Sequence, residues 1–179
     1  MWKLSRALLI VALVCALILA LIYKKTAPII EQQKQMLLER SLQSVLAADS
    51  YNKQEKEIVY YEAVNNEGKI LGWCLPLEAK GYGGPIQILV GVDISEKITG
   101  VRVLDDKETP GLGSKIRETE YKQAEAEFLK QFKQKNVKDV LLVKRKTLDN
   151  IQAVTGATIS SKAVTDCVRI NVEKFLKNK

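Results

Sequence analysis

Residues 153–164 read AVTGATISSKAV and gather four hydroxyls, Thr155, Thr158, Ser160 and Ser161, with one glycine at the head of a helix-like run. The chain has no histidine, and a serine or threonine hydroxyl is a poor nucleophile without a base in hydrogen-bond reach. No lysine is marked out by its context as a substitute. The stretch therefore reads as an attachment or capping site rather than a catalytic one, and no catalytic residue is assigned. In the capping reading, Ser160 or Ser161 satisfies free backbone N–H groups while Gly156 makes the turn. In the attachment reading, the same N–H groups and the positive end of the helix dipole favour a phosphate beside Thr158. Small Gly156 and Ala157 then let a bulky ligand approach the hydroxyl.

A second segment, KETPGLGS at 107–114, has to be a loop. Proline sets one φ and glycine takes a positive one, so Pro110-Gly111 predicts a type II turn. It is either an ordinary connection or a functional loop. Metal chemistry finds little support. The cysteines, Cys15, Cys74 and Cys167, are far apart with no C-x-x-C spacing, and histidine is absent. Cys74 and Cys167 could pair in an oxidising compartment, or stay as two buried free thiols. The formal net charge is +7, but lysines and glutamates interleave without an aromatic-basic stripe, which argues against a nucleic-acid partner.

These groups need elements to hold them. From Ala7 to Tyr23 the chain reads ALLIVALVCALILALIY, free of charge, proline and glycine. With Trp2 and Leu4 this approaches the roughly 20 residues a helix needs to cross a bilayer. Lys3 and Arg6 flank one end and Lys24 and Lys25 the other, so charge balance leaves the orientation open. No small-x-small cleavage site comes after it, so residues 1–25 are taken as an uncleaved anchor. Ile30, Leu37, Leu38, Leu42, Val45 and Leu46 recur at helical spacing, predicting an amphipathic linking helix within 26–50. Residues 51–56 read as a polar connector. EIVYYEAV and KILGWCLPL around NNEG predict a β-hairpin. GYGG then leads into the strand PIQILVGVDI, and ITGVRVLD is a further strand.

Ala124, Phe128, Leu129 and Phe132 predict a helix over 119–134, and DVLLVKR a strand. A last helix over 161–176 places Val164, Cys167, Val168, Val172 and Phe175 on one face. The order predicts an α+β domain over 51–179 with a mainly antiparallel sheet and flanking helices.

TGATISSKAV resembles the [S/T]-G-A-T flavinylation motif of the FMN-binding domain family. DKETPGLGSKI at 106–116 is similar to the family's E-T-P-G-L-G segment, and GYGGPI at 81–86 to a third segment. All three stand in the family's order behind one N-terminal anchor. That arrangement resembles the G subunit of Rnf electron-transport complexes, a relative of the C subunit of sodium-pumping NADH:quinone oxidoreductase. The resemblance implies FMN attached through a phosphoester to Thr158, with Thr155, Gly156 and Ala157 forming the exposing turn. It implies that Glu108, Thr109, Gly111, Leu112 and Gly113 form a loop lying against the flavin. Glycines allow close approach to a flat ring, Leu112 offers an apolar contact, and Glu108 or Thr109 polar ones. The family's pattern commonly has an acidic residue three positions before the first hydroxyl, where this chain has Gln152, with Asp149 further upstream.

The implied function is electron relay within a membrane complex that passes electrons between ferredoxin and NAD and couples them to ion movement. The implied partners are sister subunits, a flavin transferase during maturation, and membrane lipid. The soluble domain is implied to be extracytoplasmic. A membrane-anchored accessory or ligand-binding module without redox role is the alternative, and bound flavin separates the two.

Overall fold

The computed structural model describes residues 2–117, 126–143 and 150–179. The chain divides into two compact units, Met1–Glu39 and Arg40–Lys179. The first unit is most of one long helix, α1 (Trp2–Val45), which continues without a break through the boundary expected at residue 25. Leu8, Leu13, Leu17 and Leu21 are all more than half exposed. An α-helix that is apolar all round satisfies its own backbone and suits lipid. Pro28 lies inside the helix, where it cannot donate to the carbonyl four residues back. Just before it, Thr26 Oγ1 donates to the Ile22 carbonyl at 3.0 Å.

The second unit is built on a five-stranded antiparallel meander in sequential order. Its strands are β1 (Ser50–Glu55), β2 (Val59–Val64), β3 (Ile70–Lys80), β4 (Pro85–Asp93) and β5 (Ile98–Asp106). The segment expected as a connector, 51–56, is instead the edge strand β1, paired with β2 from Ser50↔Val64 to Glu55↔Val59. SYNKQE is polar on both faces and shows no alternation, so nothing local marks it as a strand. It is held by its neighbours, and the Tyr51 hydroxyl donates to the Leu46 carbonyl at 2.6 Å. The expected β2–β3 hairpin is present. Gly68 takes φ +75°, and Asn65 Oδ1 accepts from the N–H groups of Glu67 and Lys69.

Both faces of the sheet are covered. One face, with Trp73, Leu75, Ile86, Ile88 and Val90, packs into the main core with Phe132, Val164, Val168, Val172 and Phe175. The other face carries Cys74, Leu89 and Ala63 and buries them with Leu42, Val45 and Leu46 from the end of α1 and the residue after it. Burial on two sides explains why β4 reads as a nearly continuous apolar run rather than an alternating one. Cys74, Gly91 and Gly100 lie side by side across β3, β4 and β5. This row of small residues admits the helix backbone. A Cβ on Gly91 would stand 2.7 Å from the Val45 carbonyl oxygen, and one on Gly100 3.1 Å from Val45 Cα. Thr99 Oγ1 donates to that carbonyl at 2.5 Å. Cys74 and Cys167 are buried free thiols. Burial pushes the Cys74 thiol up to about 12, and it raises that of Cys167 too.

The expected helix at 119–134 lies partly outside the described residues. Its described part holds one short helix, α2 (Glu127–Lys130), with Phe128, Leu129 and Phe132 buried. Ala124 lies outside the described residues. DVLLVKR is not one long strand. Val137–Asp139 forms a 3₁₀ turn, and among the described residues of the run only Leu142–Val143 (β6) pairs, in parallel with β7 (Ile151–Gln152). Residues 144–145 of that run and Asp149 lie outside the described residues. The last helix, α3 (Thr158–Asn178), begins three residues earlier than expected. Val164, Cys167, Val168, Val172 and Phe175 are all buried, as the 3.6-residue period requires.

Candidate functional site

β7 delivers the chain to the head of α3. The Gln131 side chain grips the backbone of Gln152 on both sides, accepting from its N–H at 2.8 Å and donating to its carbonyl at 3.3 Å. A turn comes next, in which the Ala157 N–H donates to the Val154 carbonyl at 3.0 Å. Gly156, the third residue of that turn, has φ +81°. That is type II geometry, which a residue with a Cβ adopts only under strain. Ala157, at the N-cap, is buried and ties the turn to the core. Thr155, Gly156 and Thr158 are exposed, so the hydroxyl of Thr158 faces outward from the first position of the helix.

The capping role expected of Ser160 or Ser161 is not what they perform. Both are buried within the first turn, and no side chain among the described residues caps α3. Ser161 Oγ instead accepts from the Val154 N–H at 3.1 Å, fastening the residue before the turn to the helix after it. The Ser161 N–H makes the first bond of the helix, to the Ala157 carbonyl at 2.8 Å. The N–H groups of Thr158, Ile159 and Ser160 precede it and lie outside the helical ladder. The first turn carries no acidic residue, so nothing on the helix itself answers the positive end of its dipole.

The second loop is closed at its base by Asp106, whose side chain is 1 % exposed. Its Oδ1 accepts from the Glu108 N–H at 3.1 Å, and Oδ2 pairs with Arg117 Nε at 2.7 Å. Within the loop the expected type II turn is present. The Leu112 N–H donates to the Thr109 carbonyl at 3.1 Å, and Gly111 has φ +74°. Ser114 Oγ accepts from the Gly111 N–H at 2.9 Å. Thr109, Gly111 and Leu112 are exposed, whereas Gly113 and Glu108 are buried. The loop therefore has an outer rim and an inner brace. Glu108, expected to offer a polar contact outward, points into the brace: its Oε1 accepts from the Gly83 N–H at 3.3 Å.

The two loops meet. A Cβ built on Gly156 would lie 3.9 Å from Leu112 Cδ2, so this leucine, 52 % exposed, stands beside the turn that presents Thr158. Two turns distant in sequence thus make one surface, with glycine at each crest and with Leu112 and Ile159 exposed. Asp106, Ser114 and Arg117 carry no sequence signal for their roles, which are contacts across a loop, and Ser161 is legible as a hydroxyl at the helix head but not as the acceptor of the Val154 N–H. GYGG, which leads into β4, lies against the same loop through Gly83. Residues 81–173, which contain all of these segments, match the FMN-binding domain. The chain belongs to that family.

Residues 1–45 match the RnfG N-terminal region. The chain is 35 % identical over 176 residues to the G subunit of the proton-translocating ferredoxin:NAD(+) oxidoreductase complex of Clostridium ljungdahlii, covering 97 % of this chain and 90 % of the relative. It is 31 % identical over 197 residues to the G subunit of the Na(+)-translocating ferredoxin:NAD(+) oxidoreductase complex of Acetobacterium woodii, covering 97 % and 91 %. Among solved structures, the C subunit of the Na(+)-translocating NADH-quinone reductase of Parabacteroides distasonis is similar with a TM-score of 0.53 and 26 % identity, over 67 % of this chain and 61 % of that one. The chain belongs with the G subunits of ion-translocating oxidoreductase complexes. Among the described residues one helix, Leu8–Val45, is long and apolar enough to cross a membrane, with a mean hydropathy of 2.4 in its most apolar stretch. The protein is membrane-associated and binds FMN.

Proposed function

We propose that this chain relays electrons within an Rnf-type ferredoxin:NAD oxidoreductase complex through an FMN joined to Thr158 by a phosphoester, with the soluble domain on the extracytoplasmic side. One observation carries the reading: Thr158 presents an exposed hydroxyl at the first position of a 21-residue helix that no side chain among the described residues caps. A phosphate on that hydroxyl sits where unpaired N–H groups and the helix dipole stabilise negative charge. When bound, FMN supplies a centre that takes up and releases electrons one or two at a time.

The chain's own residues position and surround it. The N–H groups of Thr158, Ile159 and Ser160 hold the phosphate. Gly111 and Gly156 keep the crests of the two turns free of side chains, and Leu112 supplies an apolar surface. Thr109 and Thr155 offer exposed hydroxyls. Ala157, Gly113 and Glu108 hold the turns from beneath. Attachment needs no base in this chain if a transferase supplies it. Thr158 Oγ1 then bonds to the FMN-side phosphorus of FAD, the bond between the two phosphorus groups breaks, AMP leaves, and the hydroxyl proton passes to the transferase. Sister subunits and lipid are the expected neighbours of the apolar helix, with the stems of Lys24 and Lys25 reaching toward headgroups.

The test is the intact mass of the full chain co-expressed with a flavin transferase, beside a Thr158→Ala control. A gain equal to FMN less one water, absent from the control, supports the relay. An unmodified chain in a host that flavinylates a known family member removes the reading and leaves the accessory module.

A further inference from the structure

The β3–β4 hairpin ends at Gly81–Gly84, where the Gly81 N–H donates to the Gly84 carbonyl at 2.9 Å. Between these glycines Tyr82 stands 74 % exposed. A short hairpin closes by its own backbone and needs no further anchor. This one is anchored by a buried carboxyl. Glu108 is 6 % exposed, its Oε1 accepts from the Gly83 N–H, and its Oε2 has no hydrogen-bond partner among the described residues. The carboxyl runs between Gly81 and Gly113, and a Cβ on either glycine would overlap it. The backbone of Gly83 also lies directly on the loop: a Cβ there would be 2.5 Å from the Lys107 carbonyl oxygen and 3.1 Å from Glu108 Cα. Burying a carboxyl with one oxygen unsatisfied costs free energy, so the arrangement requires a return beyond closing a turn.

The return is the placement of an aromatic ring. Glu108 makes the hairpin tip and the Thr109–Leu112 turn one body, and Leu112 borders Gly156, two residues before Thr158. We propose that the tip is a third wall of the flavin site, with Tyr82 contacting the isoalloxazine ring and Glu108 the positioning residue that keeps Tyr82 there. This deepens the Thr158 reading and rests on it. A flat, electron-poor ring system gains from packing against tyrosine beyond the area covered, and the glycines on either side leave the faces of the Tyr82 ring unobstructed. Glu108 touches no flavin and acts through Gly83.

The experiment uses the full chain, flavinylated in cells and purified in detergent, with the FMN mass increment verified for every variant. Flavin fluorescence yield and its quenching by iodide are read together. Tyrosine beside a flavin quenches it by electron donation, and any ring on its face shields it from iodide. Tyr82→Ala is expected to raise the yield several-fold and to open the flavin to iodide. Tyr82→Phe is expected to raise the yield while keeping the shielding. Glu108→Ala is expected to match Tyr82→Ala on both readouts. Glu108→Gln keeps an acceptor for the Gly83 N–H and is expected to restore wild-type behaviour, which a loss of global structure would not allow. A wild-type chain without the mass increment overturns both this inference and the Thr158 reading. The increment with yield and shielding unchanged in Tyr82→Ala overturns this inference alone.

Discussion

Gly113→Ala tests the inner brace of the loop, and its effect can be worked from the contacts. The new Cβ would overlap Glu108 Oε2 and stand 2.7 Å from Cδ and 2.9 Å from Cβ of the same side chain. Carbon atoms pack favourably only at about 3.5–4.0 Å, so the carboxyl must leave its slot. Leaving breaks the bond to the Gly83 N–H, which at 3.3 Å belongs at the weak end of the range, about 1 kcal/mol. Residual crowding adds roughly 1 kcal/mol, the low end for an overpacked site. Alanine narrows the unfolded ensemble and returns about 0.4–1 kcal/mol. The net loss is about 1–2 kcal/mol, or roughly 2–8 °C in Tm for a chain of this size.

The decisive assay is a double-mutant cycle on the full chain in detergent, melted by near-ultraviolet circular dichroism. Glu108→Ala removes Oε2 and Cδ, the two closest of these atoms, and keeps only the Cβ at 2.9 Å, so the pair should be less destabilised than the sum of the singles by about 1 kcal/mol, within the range for residues in contact. Gly111→Ala is the control: it has φ +74° and no atom within 4 Å of its built Cβ, so its cost is backbone strain alone. That cost should add to Glu108→Ala within about 0.5 kcal/mol. Additivity of Gly113→Ala with Glu108→Ala would refute the brace.

The same contacts set three further outcomes. Gly91→Ala pushes a methyl against the Val45 carbonyl and Thr99 Oγ1 and should cost about 2–3 kcal/mol by the overpacking range, read by thermal melting; an unchanged Tm would place the end of α1 elsewhere. Asp106→Ala removes the partner of the half-exposed Arg117 guanidinium, worth up to about 1 kcal/mol, and the acceptor of the Glu108 N–H, about 1 kcal/mol, and should cost about 1–2 kcal/mol together, with faster amide exchange confined to residues 107–117. The raised thiol of Cys74 gives a pH dependence whose sign is set by burial. Native Cys74 keeps its proton up to about 12, whereas an unfolded thiol loses it near 8.5. The contribution is therefore complete below that unfolded value and is lost as pH rises toward the folded one. By pH 10 about 2 kcal/mol is gone at 1.36 kcal/mol per unit, with Cys167 adding in the same direction. Cys74→Ala should flatten that alkaline slope in denaturant melts, and an unchanged slope would contradict the buried thiol.

Whatever the chain decides within one turn or one period is legible in the order of its residues. The face of α3 comes from apolar residues recurring at helical spacing. The Pro110-Gly111 turn comes from two residues whose allowed φ values define it. The apolar run of α1 is a matter of composition, and Thr158 stood out because hydroxyls without a base suit modification. Local pattern could not supply any role that depends on a distant neighbour. β1 carries no alternation, so only pairing with β2 makes it a strand. Ser160 and Ser161 look like caps in sequence, but the helix starts earlier and turns both inward. Glu108 looks like a polar contact on an exposed loop until the β3–β4 hairpin is folded against it and its carboxyl is enclosed between Gly81 and Gly113. The glycines of β4 and β5 acquire their meaning only when the last turn of α1 is laid across them. Side-chain direction and burial are settled by what packs from the other side, and that information resides in the tertiary structure.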